Sequence, residues 1–236
     1  MVSFKSSQNR LLRNLSEEDI EYLEPRFQLV DLELRTPLET ANAPIEYAHF
    51  LEDGIASVVA TMPGGRSIEA GLIGRDGMSG TALVLGDDQS PNETYMQVAG
   101  SAWRVHAQDF QSAMSGLPSL RPLLLRYIQA FLTQTAHTAL ANGQAKIEER
   151  LARWLLMVHD RVDGDRLELT HEFLATMLGV RRPGVTEALH ALEGKEVIRS
   201  LRSQVLVIDR EGLEDIANGS YGVPEEQYRR LIGQLH

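Results

Sequence analysis

Hydrophobic spacing divides the chain into three stretches, helical, then of period two, then helical again. Ser16-Glu17-Glu18-Asp19 places an N-cap residue and carboxylates ahead of Ile20, Leu23 and Phe27, which predicts a short helix ending near Pro25. From Val30 to about Val105 the period drops to two. Ile55-Ala56-Ser57-Val58-Val59 and Tyr95-Met96-Gln97-Val98 alternate between turn signals at Pro63-Gly64-Gly65 and Gly86-Asp87-Asp88. Short strands at this spacing, with no helix expected among them, predict an α+β chain that opens on a small antiparallel β-roll or jelly roll over residues 1–117.

After Pro118 the pattern turns helical, with Leu120, Leu124, Ile128, Phe131 and Leu132 on one face. A helix from Pro118 to Ala141 would span roughly 35 Å at ~1.5 Å per residue. A small roll would not cover that length, so the stripe is expected to meet a partner helix in a homodimer. The competing reading packs it on its own roll. Gly143 is expected to end this helix, making 118–143 a dimerisation segment and the glycine a hinge.

The stretch 144–217 carries the chemistry. Ile147, Leu151, Trp154, Leu155 and Val158 predict a helix before Asp163-Gly164-Asp165 turns the chain. Thr170 can cap a second helix that stops at Gly179, and Val185, Leu189 and Leu192 mark a third. Ala175 is small where two helices would cross, Gly179 permits a positive backbone angle, Val185 seals the pair, and Pro183 falls in a first turn, where its missing N–H costs little. Val197-Ile198-Arg199-Ser200 and Val205-Leu206-Val207-Ile208, with a turn at Arg202-Ser203-Gln204, read as a hairpin. This is the layout of a C-terminal winged helix-turn-helix, whose last helix presents its first turn to base edges in a major groove. The expected contacts to duplex DNA are Thr170, Arg181, Arg182, Pro183, Gly184, Thr186, Glu187, His190, Arg199, Arg202 and Ser203. Residues 218–236 form a tail, part of it a helix expected against the winged unit.

Charge narrows the picture. A formal net charge of -10 excludes a chain coated in nucleic acid, so any footprint is local. Arg181, Arg182, Lys195, Arg199 and Arg202 supply that local excess. The absence of cysteine removes disulfides, thiolate nucleophiles and thiolate metal sites. His49, His106, His137 and His159 lack ligand spacing, so no cofactor or metal is expected. The roll offers no nucleophile, base or ligand cluster, which argues against an enzyme. Gly74-Arg75-Asp76-Gly77 reads as a turn, not a phosphate cradle. Neither a signal-like N-terminus nor an apolar run approaching about 20 residues is present, so a soluble, cytoplasmic protein without a membrane partner is expected. The alternative function is a small-molecule sensor module without DNA-binding activity.

With these elements in order, the chain resembles the Crp/Fnr family of transcription regulators over nearly its whole length. The match is closest from Ile147 to Ile208, with Phe50-Leu51-Glu52-Asp53-Gly54 and the segment Gly71 to Gly80 similar to stretches of the family's roll. The resemblance implies a homodimer on a pseudo-palindromic operator and contact with RNA polymerase. It puts Arg182 where cyclic-AMP-responsive members place a base-reading arginine, and Glu187 where they place a second reader, usually an arginine. Pro183 replaces the usual glutamate, so the operator is expected to differ. It also aligns Gly80 and Thr81 with the family's ribose-binding Gly-Glu pair, and Glu93 and Thr94 with its phosphate-binding Arg-Ser pair. A carboxylate facing a phosphate is repulsive, so cyclic AMP is not expected to bind and the effector stays open.

Overall fold

The computed structural model describes residues 4–235. Two short helices, α1 (Arg10–Arg13) and α2 (Glu17–Leu23), open it. Ser16 caps α2 by accepting from Asp19 N at 3.1 Å, and the helix gives way to a 3₁₀ turn holding Pro25. α1 is too short to show a period. Its cap, the fully buried Asn9, accepts from Leu11 and Leu12 and donates to the Leu51 and Gly77 carbonyls at 2.9 and 2.8 Å, pinning the N-terminus to the roll.

The roll comprises β1 (Gln28–Leu32), β2 (Pro37–Glu39), β3 (Tyr47–Leu51), β4 (Ile55–Thr61), β5 (Ser67–Ile73), α3 (Thr81–Leu85), β6 (Glu93–Val98) and β7 (Gly100–His106). Its strands form two antiparallel sheets, ordered β1-β7-β3 and β2-β6-β4-β5. Leu32, Leu51, Ala56, Ile73, Met96 and Ala102 fill the space between them. The helix α3 corrects the expectation of an uninterrupted β segment. Its five apolar-rich residues are too few to separate a strand from a buried helical turn by period, and Leu83 and Val84 face the core.

α4 (Ala107–Gly116) leads into α5 (Leu120–Gln144), which is fastened along the roll. Tyr127 Oη bridges the Met78 N–H and carbonyl, each at 3.2 Å, and a Cβ on Gly77 would lie 2.3 Å from that oxygen. Gln134 accepts from Leu72 N at 2.7 Å and donates to its carbonyl at 3.3 Å, extending the strand's pairing with a side chain. The stripe chosen for dimerisation is therefore corrected. Leu120, Leu124 and Ile128 lie in the protomer's own core, Phe131 is half-buried against the roll, and Leu132 alone of the five is exposed, at 55 %. α5 has two apolar faces, and periodicity finds a face without naming what covers it. The hinge is corrected as well. Gly143 stays inside α5, and the chain breaks at Ala145, where Glu149 accepts from Lys146 N at 2.9 Å to start the next helix.

That helix, α6 (Ile147–His159), begins a second unit with β8 (Arg166–Glu168), α7 (His171–Leu178), α8 (Arg182–Gly194), β9 (Ile198–Leu201), β10 (Gln204–Val207) and α9 (Arg210–Ile216). Its sheet is ordered β8-β10-β9. The core of this unit is continuous with Ile55, Val59 and Leu72 of the roll, so the two units share one apolar junction. Arg161 and Asp76 cross it as a buried bidentate pair, Nε to Oδ1 at 3.1 Å and Nη2 to Oδ2 at 2.6 Å. α10 (Val223–Leu231) packs along α5, where Tyr228 Oη donates to the Asp76 carbonyl at 2.7 Å and Arg126 donates to the Leu231 carbonyl at 3.2 Å. The tail helix thus lies on the long helix and the roll, not on the winged unit as its sequence suggested. Its buried contacts are Tyr228, Pro224 and Glu225, a set too sparse to identify a partner surface in advance.

Candidate nucleic-acid interface

Thr170 caps α7 by accepting from Phe173 N at 3.2 Å, and Gly179 closes it with φ 60°, the left-handed geometry that a side chain would strain. Val180 and Arg181 cross to α8, with Arg181 as N-cap and Pro183 in the first turn. Leu174, Met177 and Leu178 of α7 meet Val185, Ala188, Leu189 and Leu192 of α8 in the unit's core. Burying that face leaves the other in water. Arg181, Arg182, Pro183, Glu187 and His190 are exposed along α8, with Gly184 and Thr186 half-buried between them.

The turn between β9 and β10 holds Arg202 and Ser203, the latter at φ 57°. Arg199, Arg202 and Ser203 are exposed on this hairpin. The arrangement can place a cationic helix start and a cationic hairpin against one polyanion.

Two partners of the α8 start escaped the sequence reading. Glu172 on α7 forms an ion pair with Arg182 at 2.6 Å, and His171 Nδ1 lies 3.2 Å from Thr186 Oγ1. Residues ten and fifteen apart meet only because the helix pair folds back, a relation that spacing within one helix does not encode. The ion pair holds the Arg182 guanidinium at the exposed tip. Both partners are more than half exposed, so solvent screens it.

The four residues aligned with an effector pocket separate. Gly80 N donates to Glu39 Oε1 at 2.8 Å, and the buried Thr94 hydroxyl also bonds Glu39. Thr81 begins α3 beside them, whereas Glu93 is exposed on the opposite face of β6, as strand alternation requires. Burial raises the Glu39 carboxyl above its usual range, against the lowering effect of those two bonds. Glu39 itself was missed. Its only signal was an acidic residue at an inward position of a short strand.

Between β2, β6 and the winged unit lies a cleft of about 770 Å³, lined in part by Arg35, Glu93, Tyr95, Glu168, Thr170, Glu172, Phe173 and Ser203. Among the described residues no group of three or more His, Cys, Asp or Glu is placed to hold a metal ion, and no helix is long and apolar enough to cross a membrane.

Comparison with known proteins agrees with this geometry. Residues 149–216 match the Crp-like helix-turn-helix domain family. No curated protein sequence matches the chain. Among solved structures, the chain is similar to FixK2 from Bradyrhizobium japonicum, with TM-score 0.70 and 17 % identity over 80 % of this chain and 96 % of that one. A CRP-family transcriptional regulator from Thermus thermophilus gives TM-score 0.66 and 18 % identity, covering 82 % and 98 %. The c-di-GMP responsive global regulator CLP of Xanthomonas campestris gives 0.60 and 17 %, covering 81 % and 99 %. Identities this low speak for the fold. The chain carries a Crp-like helix-turn-helix domain at 149–216 and has the fold of the Crp/Fnr regulators over the 80–82 % of its length that these structures cover.

Proposed function

We propose that the protein is a homodimeric transcription regulator that binds a pseudo-palindromic operator through α8 and the wing. The observation that carries this reading is the exposed cationic start of α8, Arg181 and Arg182, beside Arg199 and Arg202, in a chain of net charge -10. Arg182 reads a base, most simply guanine through O6 and N7, while Arg202 meets phosphate. Arg182→Ala then weakens the specific site by about 1–3 kcal/mol per half-site and spares random duplex. Arg202→Ala weakens both alike and lowers the salt slope by about one per contact. Binding of both variants to operator and scrambled duplexes across a salt series tests the assignment. Equal losses on both duplexes for Arg182→Ala, or no saturable duplex binding by the parent, overturn it; the second result leaves a sensor module without DNA-binding activity.

The dimer seam moves to the free face of α5. Leu125, Gln129, Leu132, Ala136 and Ala139 are exposed there at alternating spacings of four and three, the repeat of a two-helix seam, with small residues at its C-terminal end. Leu132→Glu is expected to shift the sedimenting species toward the 26.3 kDa protomer. The effector is not cyclic AMP, since one carboxylate, Glu39, rather than a cation, bonds both Gly80 and Thr94. Calorimetry giving a micromolar dissociation constant for cyclic AMP contradicts this. Contact with RNA polymerase rests on the family resemblance alone.

A further inference from the structure

The junction between the roll and the winged unit contains one polar row inside an otherwise apolar contact. Ser57 on β4, Glu69 on β5 and Gln97 on β6 are all buried on the sheet face that meets α6. Glu69 Oε1 accepts from Trp154 Nε1 of α6 at 2.8 Å, and its Oε2 lies 2.6 Å from Ser57 Oγ. Ser57 Oγ also contacts Gln97 Oε1, and Gln97 Nε2 has no partner.

A serine hydroxyl has one proton, and here it faces two oxygens. The row balances when Glu69 is a neutral acid. Its O–H then donates to Ser57, Ser57 donates to Gln97, and the remaining Glu69 oxygen accepts from the Trp154 indole. We propose that Glu69 is a protonation-dependent latch that holds the winged unit against the outer face of the roll.

Among the described residues no cation bonds Glu69 directly. The groups facing it are Ser57 from β4, Gln97 and the Tyr95 phenol from β6, with Glu93 beyond that phenol, Trp154 and Arg153 from α6, and Arg161 from the turn after α6. Both arginines are engaged elsewhere. Arg153 donates to the Ser220 carbonyl and to Thr138, and Arg161 is committed to Asp76. Burial pushes the Glu69 carboxyl up to about 7, against the lowering effect of its bonds to Ser57 and Trp154 and of the two arginines.

Parting the units puts Glu69 in water, where it ionises in the ordinary glutamate range. Between that range and about 7, the docked state holds one proton more than the parted state. Docking is therefore fully supported at acid pH and weakens as pH rises through this window, by at most about tenfold per pH unit. Parting widens the cleft lined by the exposed Thr170 and Ser203, two residues of the surface assigned to DNA. This regulatory consequence rests on the DNA-binding reading; the latch does not.

The test uses the full chain with Trp103→Phe, which leaves Trp154 as the single indole. Acrylamide quenching is followed from acid pH through about 7, and Glu69→Gln in the same background reproduces the neutral acid at every pH. Trp154 should become more accessible as pH rises in the chain that keeps Glu69 and stay protected in the chain carrying Glu69→Gln. The same pH response in both chains overturns the proposal. So does a flat response in the chain that keeps Glu69, the result expected if the Gln97 amide is turned to donate to Ser57 with Glu69 ionised. Should Glu69→Gln fail to fold, Trp154→Phe is read by hydrogen exchange over 67–73 and 171–178, corrected for intrinsic rates. Loss of a donor to the carboxylate should move the opening midpoint up in pH, and an unmoved midpoint overturns the proposal.

Discussion

Two buried carboxylates bridge the same junction and are held in different ways. Asp76, 4 % exposed, meets a guanidinium face to face and also accepts from Gly74 N at 2.9 Å. Glu69, 3 % exposed, meets only a hydroxyl and an indole. Burial on its own lowers the affinity of Arg161 for its proton, but Asp76 and Asp160 outweigh it and hold that arginine firmly charged. Around Glu69 the hydroxyl, the indole and two arginines engaged elsewhere do not outweigh burial, and its carboxyl rises to about 7. Equal burial thus gives one carboxylate tied to a firmly charged guanidinium and one whose tie responds to pH. The partner, not the depth, sets which is which.

The difference is broken most severely on the charged side. Arg161→Leu leaves the Asp76 carboxylate buried with one backbone donor, and is expected to destabilise the chain by about 3–5 kcal/mol. Urea denaturation at neutral pH measures it. Adding Asp76→Leu should recover much of the loss, because the stranded charge, not the missing contact, dominates the penalty. A double variant as unstable as the single one would mean that Asp76 acts chiefly by shaping its turn.

A smaller effect is expected on the neutral side. Trp154→Phe keeps a ring in the contact with Phe173 but removes the donor to Glu69 Oε1. The expected loss is about 1–3 kcal/mol, the range for stranding a buried acceptor. Paired denaturation at acid and alkaline pH sharpens the comparison. The loss should be greater at alkaline pH, where the stranded oxygen carries charge.

These contrasts also explain what the sequence disclosed. The helix-turn-helix was legible because its determinants are local: Gly179 and Val185 sit at fixed offsets within one supersecondary unit, and Pro183 tolerates only a first turn. The roll was legible as a class through alternation. The polar row was not legible, because it depends on which strands lie side by side and on register shifts at Ile55/Ala56 and Val58/Val59, which move side chains between faces. The α5 stripe failed for a related reason. Leu124 and Leu132 look alike by period, yet one fills the protomer core and the other faces water. Gly143 failed because the roughly 1 kcal/mol helix penalty of glycine is small beside tertiary context, and the neighbouring cap at Lys146 set the boundary.

The smallest effect carries the most information about Glu69. Glutamine in its place can donate to Ser57 through its amide and accept from Trp154 through its carbonyl, matching the neutral acid atom for atom. Below the ordinary glutamate range, at about pH 4 and under, Glu69 holds its proton in the folded and the unfolded chain alike, so Glu69→Gln should change stability by no more than about 0.5 kcal/mol there. As pH rises from there to about 7 the unfolded glutamate ionises while the folded one keeps its proton, so the chain that keeps Glu69 loses stability that the glutamine variant retains, and above about 7 the difference levels off. The variant should then be the more stable chain, by about 1–3 kcal/mol at alkaline pH. Taking the difference between the two chains at each pH cancels every other titrating group, including Glu39, Glu225 and His49, whose shifts are common to both. Urea denaturation of both chains at about pH 4 and above about 7 decides it: a difference that does not grow between them would mean that Glu69 keeps one charge state across the range, and that the two carboxylates of the junction are held alike after all.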